Sequence, residues 1–121
     1  MMQSKREIMN ILANSTGTTA YHRFSPLSGY PVATDGIIAI AEAAECFWLL
    51  DAIGSHQSDK KLDPAFQVWK LEVSRDNDSA VLRGYNDETL IVEQKIPNTD
   101  FPLDEIKMYL IRGVILLPSE Y

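Results

Sequence analysis

Cysteine, histidine and long apolar runs are all scarce in this 121-residue sequence. The single cysteine, Cys46, has no partner for an internal disulfide, so nothing favours an oxidising compartment. The apolar stretch Ile8–Ala13 is short and interrupted by Asn10, too little for a signal peptide. No run approaches the roughly 20 apolar residues that cross a bilayer. We therefore expect a cytoplasmic protein without membrane contact.

The side chains that usually carry catalysis or bind metals are not clustered. His22 and His56 fall on different predicted elements, and no Cys pair, H-x-x-x-H or Asp-x-Asp spacing is present. Cys46 lies in an apolar segment, where a thiol packs in the core and does not become a reactive thiolate. The sequence therefore predicts no enzyme activity, no metal and no cofactor.

The charge is acidic and dispersed. Seventeen Asp and Glu against eleven Lys and Arg give a net charge of −6, and no basic block occurs. Because binding to a phosphate backbone depends on clustered Lys and Arg, direct contact with nucleic acid is disfavoured. An acidic surface either keeps the protein soluble or attracts a protein partner whose own surface is basic.

The first half of the chain predicts two helical segments around short strands. Ser4 and Glu7 have capping-box spacing, which places the start of an N-terminal helix at Ser4. Short strands are expected at Tyr21–Phe24 and Val32–Ala33, on either side of a turn rich in proline and glycine. A long helical region follows from Gly36 to Ile53; either it is continuous or it breaks near Ala43–Glu45.

In the second half the apolar period changes to two. Strands are predicted at Phe66–Val73, Ala80–Tyr85 and Leu90–Ile96, joined by polar turns into an antiparallel meander. A C-terminal helix is predicted from Leu103 to Arg112, followed by a short strand at Val114–Leu117. The expected fold is one α+β domain over residues 1–121, in which three strands and a short C-terminal strand pack against a buried central helix.

Asp51 is the polar residue with the most open interpretation. If residues 36–53 form one helix, Asp51 projects near Trp48, inside the apolar stripe and in the last turn, where the helix dipole disfavours a carboxylate. Either it accepts hydrogen bonds in a structural role, or it lies in a pocket beside Trp48 with a raised pKa. His22 is the second group considered for that pocket.

Two aromatic residues suggest an interaction surface on the sheet. Trp69 and Tyr85 lie on adjacent predicted strands, where they either pair in the core or form a patch that a partner recognises. The candidate binding residues are thus Trp48, Asp51, Trp69, Tyr85 and His22. A homodimer that forms through an exposed strand edge or the Trp69 face is a further alternative.

A series of short motifs resembles a family of small bacterial proteins classed as a domain of unknown function. The motifs are Thr34-Asp35-Gly36, Trp48-Leu49-Leu50-Asp51, Phe66-Gln67-Val68-Trp69-Lys70-Leu71, Thr99-Asp100-Phe101-Pro102-Leu103 and Leu117-Pro118-Ser119-Glu120-Tyr121. Around His22 the family more often has a basic residue before the histidine, which weakens any role for that side chain. The resemblance implies carriage on plasmids and phage-like elements, and hence an accessory or anti-defence role; it implies no catalytic residue.

The function expected from the sequence is a non-enzymatic, acidic protein-binding module. A basic partner such as a host nucleic-acid-handling complex, for example a CRISPR effector, fits the charge and the implied mobile-element context. The alternative is a small-molecule-binding protein or weak hydrolase with a pocket near Trp48 and Asp51.

Overall fold

The computed structural model describes residues 5–18, 20–27 and 29–121. These residues form helices α1 (Lys5–Asn14), α2 (Asp35–Ala43) and α3 (Phe47–Ser55), and strands β1 (Tyr21–Arg23), β2 (Val32–Thr34), β3 (Gln67–Ser74), β4 (Ser79–Asn86), β5 (Thr89–Ile96), β6 (Glu105–Ile111) and β7 (Val114–Leu116). Short 3₁₀ turns follow α3 at His56–Ser58 and β7 at Pro118–Glu120. Ser4, the predicted N-terminal cap, lies outside the described residues.

The strands form a single mixed sheet in the order β1-β2-β7-β6-β3-β4-β5. The predicted meander is confirmed, because β3, β4 and β5 are consecutive antiparallel neighbours. The short strands predicted at Tyr21–Phe24, Val32–Ala33 and Val114–Leu117 form as β1, β2 and β7 and belong to the same sheet, and the strand that was not expected, β6, pairs with β3. The pair β2 and β7 is parallel. The α+β class is therefore confirmed and the strand count corrected.

The helix predicted from Leu103 to Arg112 is wrong, because these residues form β6. Ile106, Met108 and Leu110 are buried and alternate with more exposed residues, which is the period of a strand. Arg112 and Gly113 both have positive φ, 50° and 83°, and join β6 to β7 in a tight hairpin. The residues interpreted as helix-ending signals are therefore the turn of this hairpin.

The helical region after Gly36 breaks into α2 and α3. Glu45 has a φ of 53°, a left-handed conformation that cannot continue a helix. The Cys46 backbone N–H donates to Ala41 O at 2.9 Å and so closes the C-terminus of α2, and the Leu49 N–H donates to Cys46 O at 3.0 Å at the start of α3. Residue positions counted along one continuous helix therefore do not apply beyond this break.

Cys46 itself is buried, as predicted from its apolar surroundings. Burial raises the pKa of its thiol from 9.0 to about 12, with a further contribution from the nearby Asp100 carboxylate. The thiolate form is therefore suppressed at neutral pH.

The helices cover one face of the sheet. Buried residues of all three helices join one apolar core with Trp69, Leu82 and Met108 on that face. The other face carries half-buried and exposed residues, and none of the described helices adds a buried side chain to it. We call it the open face. Within the described part of the chain, no helix is long and apolar enough to cross a membrane.

A polar network inside the core is centred on Gln67. The Gln67 Oε1 atom accepts from Trp69 Nε1 at 2.9 Å and from Gln57 Nε2 at 3.0 Å, and its own amide nitrogen donates to Gln57 Oε1 and the Asp63 carbonyl. The His56 ring stacks on Trp69 at 5.8 Å. Every polar atom of Gln67 is satisfied, so this network fixes the indole in one orientation.

Candidate functional site

The motifs Thr34-Asp35-Gly36 and Leu117–Tyr121 meet at one end of the strands β2 and β7. Because β2 and β7 are parallel, their carboxyl ends lie side by side at the same end of the sheet. There β2 runs into α2 through Thr34-Asp35-Gly36, and β7 runs into the turn Leu117–Tyr121. Ligands of open α/β sheets often bind beyond the carboxyl ends of parallel strands, so the carboxyl ends of β2 and β7 are the first candidate site.

The Glu120 side chain connects the carboxyl ends of β2 and β7 by hydrogen bonds. Its Oε1 atom accepts from Thr34 Oγ1 at 2.6 Å and from the Leu117 N–H at 3.0 Å, and its Oε2 atom accepts from the Gly36 N–H at 3.3 Å. The carboxylate thus lies at the positive end of the α2 dipole. A Cβ at Gly36 would come within 2.9 Å of the Glu120 Cδ, so the glycine makes room for it. These contacts assign Glu120 a structural, helix-capping role.

The His22 ring contacts the Asp35 carboxylate beside this cap. The distance from His22 Nε2 to Asp35 Oδ1 is 2.6 Å, and the Asp35 N–H donates to Thr18 Oγ1 at 2.9 Å. Both side chains are well exposed, at 41% and 37%. The pair connects β1 to the start of α2.

A cleft of about 250 Å³ lies beside the carboxyl ends of β2 and β7. Its walls are mostly apolar, with aliphatic side chains from β6 and β7 and two tyrosine rings at the rim; the lining residues are Thr18, Tyr21, Thr34, Ile111, Val114, Leu116, Glu120 and Tyr121. The Glu120 carboxylate already accepts three hydrogen bonds from within the chain. The cleft therefore offers mainly apolar contact to a ligand or partner.

Next to the cleft, three aromatic rings pack against one another on the open face. The ring centroids of Phe66 and Tyr109 are 5.2 Å apart, those of Tyr109 and Tyr121 are 5.5 Å apart, and those of Phe66 and Tyr121 are 6.0 Å apart. We call Phe66, Tyr109 and Tyr121 the aromatic patch. Tyr121 is 77% exposed even though it contacts both other rings. The patch therefore combines a fixed geometry with accessible apolar surface.

Apolar residues continue from the aromatic patch across the sheet. Tyr109 lies opposite Val68, Val68 lies opposite Tyr85, and Tyr85 lies opposite Leu90. Leu90 on the edge strand is 47% exposed. One end of the open face thus presents an apolar band that spans β5 to β6.

The other end of the open face is charged but internally compensated. Arg83 contacts Glu72 at 3.0 Å and Glu93 at 2.9 Å, and Lys70 lies 3.8 Å from Glu105. Exposed ion pairs of this kind add little to stability. They leave this end with no strong field of either sign, in contrast to the apolar band.

Acidic side chains border the aromatic patch on one side. A shallow hollow of about 450 Å³ is lined by Asp63, Phe66, Asn86 and Asp87. The Asp63 Oδ1 atom accepts from the Ala65 N–H at 2.9 Å, which fixes its position in the turn before β3. One edge of the Phe66 ring therefore faces a negatively charged rim.

A family model described as a family of unknown function, DUF6876, matches residues 6–121 of the chain. The chain belongs to this family. No curated protein and no solved structure matches it. The family resemblance inferred from the motifs is therefore confirmed, and membership assigns no activity to any residue.

The structure separates Trp69 and Tyr85, which were considered together as an aromatic surface. Trp69 is 1% exposed and lies on the core face of β3, whereas Tyr85 lies on the open face opposite Val68. Gly84, directly opposite Trp69, leaves room for the indole. Trp69 is a core residue of this DUF6876 member, and Tyr85 belongs to the apolar band.

The pocket predicted from the sequence involves Trp48 and Asp51, which both lie on α3. Asp51 is exposed and Trp48 is half-buried on α3, and neither lines any of the described clefts. The reason is the break at Glu45, which turns α3 so that Leu49, Leu50 and Ile53 face the core. His22 lies on β1, where its ring contacts Asp35 at the start of α2.

Sequence reasoning missed the aromatic patch. Tyr109 was placed on a helix, and Phe66 and Tyr121 are far apart along the chain, so no local pattern joins them. A usable signal was the period-two alternation of Glu105–Ile111, which predicts that Tyr109 and Lys107 share one face of a strand. No group of three potential metal ligands occurs among the described residues.

Proposed function

We propose that this protein is a non-enzymatic protein-binding module that contacts its partner through the aromatic patch. The observation that carries the proposal is the packing of three aromatic rings on a sheet face that the described helices leave open, with Tyr121 77% exposed. Tyrosine and phenylalanine are enriched in the cores of protein interfaces, where rigid aromatic anchors dominate the binding energy.

The chemistry around the patch favours a partner with basic side chains. Asp63 and Asp87 line the hollow beside Phe66, and the whole chain carries a net charge of −6. A partner arginine or lysine can lie over the Phe66 ring and pair with one of these carboxylates. Arg83 and Lys70 are paired with glutamates, so their charges are compensated within the chain. Lys107 lies over the Tyr109 ring, with Nζ 5.5 Å from the ring centroid, so the side of the patch that favours a basic partner is the Phe66 side.

The partner that this charge and the family resemblance favour is a protein that handles nucleic acid. Basic surfaces are typical of proteins that handle nucleic acid. An accessory protein of a mobile element that inhibits a host defence complex, for example a CRISPR effector, would meet such a surface. Localisation in the cytoplasm belongs to the same proposal.

The test is affinity capture from a bacterial lysate at low salt, comparing the wild-type protein with Tyr121→Ser. The matched control is Met9→Ser, which removes a 51%-exposed apolar side chain from α1, away from the open face. We expect a captured protein that is lost with Tyr121→Ser, retained with Met9→Ser and weakened by added salt. Equal capture by both variants, or no captured protein, would contradict the proposal.

A further inference from the structure

The outer edge of β5 is unpaired in the described chain. β5 ends the sheet order, and its eight residues Thr89–Ile96 pair only with β4. The opposite edge strand, β1, has three residues. A long strand edge leaves a row of backbone N–H and C=O groups available to another strand, and proteins usually shorten or cover such an edge.

A second copy of the chain can pair with this edge only in certain registers. In an antiparallel pair related by a two-fold axis perpendicular to the sheet, opposite side chains must point to the same face. One residue of β5 therefore lies opposite its own copy, and the residues on either side of it pair with each other across the axis.

The charges of β5 distinguish between these registers. Glu93 and Lys95 both project to the open face, one on each side of Gln94. Centring the axis on Gln94 places Glu93 opposite Lys95 twice, whereas centring it on Glu93 or on Lys95 places a charge opposite its own copy. The Gln94 register also places Val92 opposite Ile96 on the core face.

We infer that β5 pairs with β5 of a second copy, antiparallel and centred on Gln94, and so forms a continuous sheet across a symmetric dimer. The inference is independent of the aromatic patch and of any hetero-partner. The Gln94 side chain does not obstruct this arrangement, since it lies on the core face with its Oε1 atom 2.7 Å from His56 Nε2 of its own chain.

Sedimentation equilibrium of four proteins tests the register: wild type, Glu93→Lys, Lys95→Glu and the double exchange. Each single variant places like charges opposite each other twice, so we expect its dimer dissociation constant to rise by roughly tenfold. The double exchange restores opposite charges and should restore dimerisation. Glu93→Lys removes the Arg83 contact in both backgrounds, so recovery in the double exchange cannot come from that contact.

A crosslink measures the same register directly. In the proposed dimer the two Gln94 positions are opposite one another at a Cα distance of about 4.5–5.5 Å, within disulfide range. Gln94→Cys should form a covalent dimer on mild oxidation and Leu90→Cys should not, while the buried Cys46 does not interfere. A wild-type protein that is monomeric at every concentration, or a double exchange as weak as the single variants, would overturn the inference.

Discussion

Gly84 is the position where a single methyl group tests the described core most sharply. A Cβ at this residue would lie 2.6–2.8 Å from three atoms of the Trp69 ring, Cη2, Cζ3 and Cζ2. The ring cannot easily turn away, because its Nε1–H donates to Gln67 and its face stacks on His56. Gly84→Ala therefore forces either the indole or the β4 backbone to move.

Overpacking against Trp69 and the lower backbone entropy of alanine change the free energy of unfolding of Gly84→Ala in opposite directions. Gly84 does not have a positive φ, so alanine is compatible with its backbone and would by itself stabilise the protein by about 0.4–1 kcal/mol. Overpacking a core costs about 1–3 kcal/mol. We expect the cost to exceed the gain, so that the free energy of unfolding falls by about 1–2 kcal/mol and the Tm falls by roughly 4 °C for each kcal/mol.

Thermal and guanidinium unfolding followed by circular dichroism measure this change. Gly17→Ala is the control, because a Cβ there has no neighbour within 4 Å. In a Trp69→Phe background the shorter ring no longer reaches Gly84, so the cost of Gly84→Ala should largely disappear. The reasoning is refuted if Gly84→Ala raises the Tm, or if its cost is the same in both backgrounds.

Three further predictions concern Cys46, Glu120 and Asp51. Cys46 should resist thiol reagents at pH 8 in the folded protein and react in urea. Because folding raises the pKa of its thiol from 9.0 to about 12, the contribution of the protonated thiol to the free energy of unfolding is complete below pH 9 and is lost between pH 9 and 12. Urea titrations at several pH values measure this loss. Glu120→Gln removes a charge from the α2 N-terminus and should lower the free energy of unfolding by about 1 kcal/mol, a result that unchanged urea midpoints would contradict. Asp51→Asn, at an exposed position of α3, should change stability by less than about 0.5 kcal/mol, and a loss several times larger in the same assay would show that its carboxylate has a structural partner.

Local patterns in the sequence predicted much of the fold because they are enforced by burial of a single face. Leu90–Ile96 and Ala80–Tyr85 alternate with period two, and both are strands of the predicted meander. Cys46 was placed in the core from its apolar neighbours and is buried there. In these segments the local signal and the tertiary environment agree.

The failures occurred where a local signal has two interpretations. Asp104, Glu105 and Arg112 are placed as in a helix with favourable dipole charges, yet Glu105–Ile111 pairs with β3, which is distant in sequence, and with β7 across the following hairpin. Those ladders supply the backbone hydrogen bonds that a helix would have made, so pairing overrides propensity. A single left-handed residue, Glu45, likewise redirected Asp51 from the predicted apolar stripe to solvent.

The sequence by itself determined the α+β class, the central meander, the burial of Cys46 and the acidic charge, because composition and short-range periodicity encode them. Only the tertiary structure decided which side chains share a surface. Phe66, Tyr109 and Tyr121 meet because β3, β6 and the turn after β7 are adjacent in the sheet, and Trp69 and Tyr85 separate because the strand register places them on opposite faces. Such juxtapositions depend on strand order and register, which no local pattern in the chain contains.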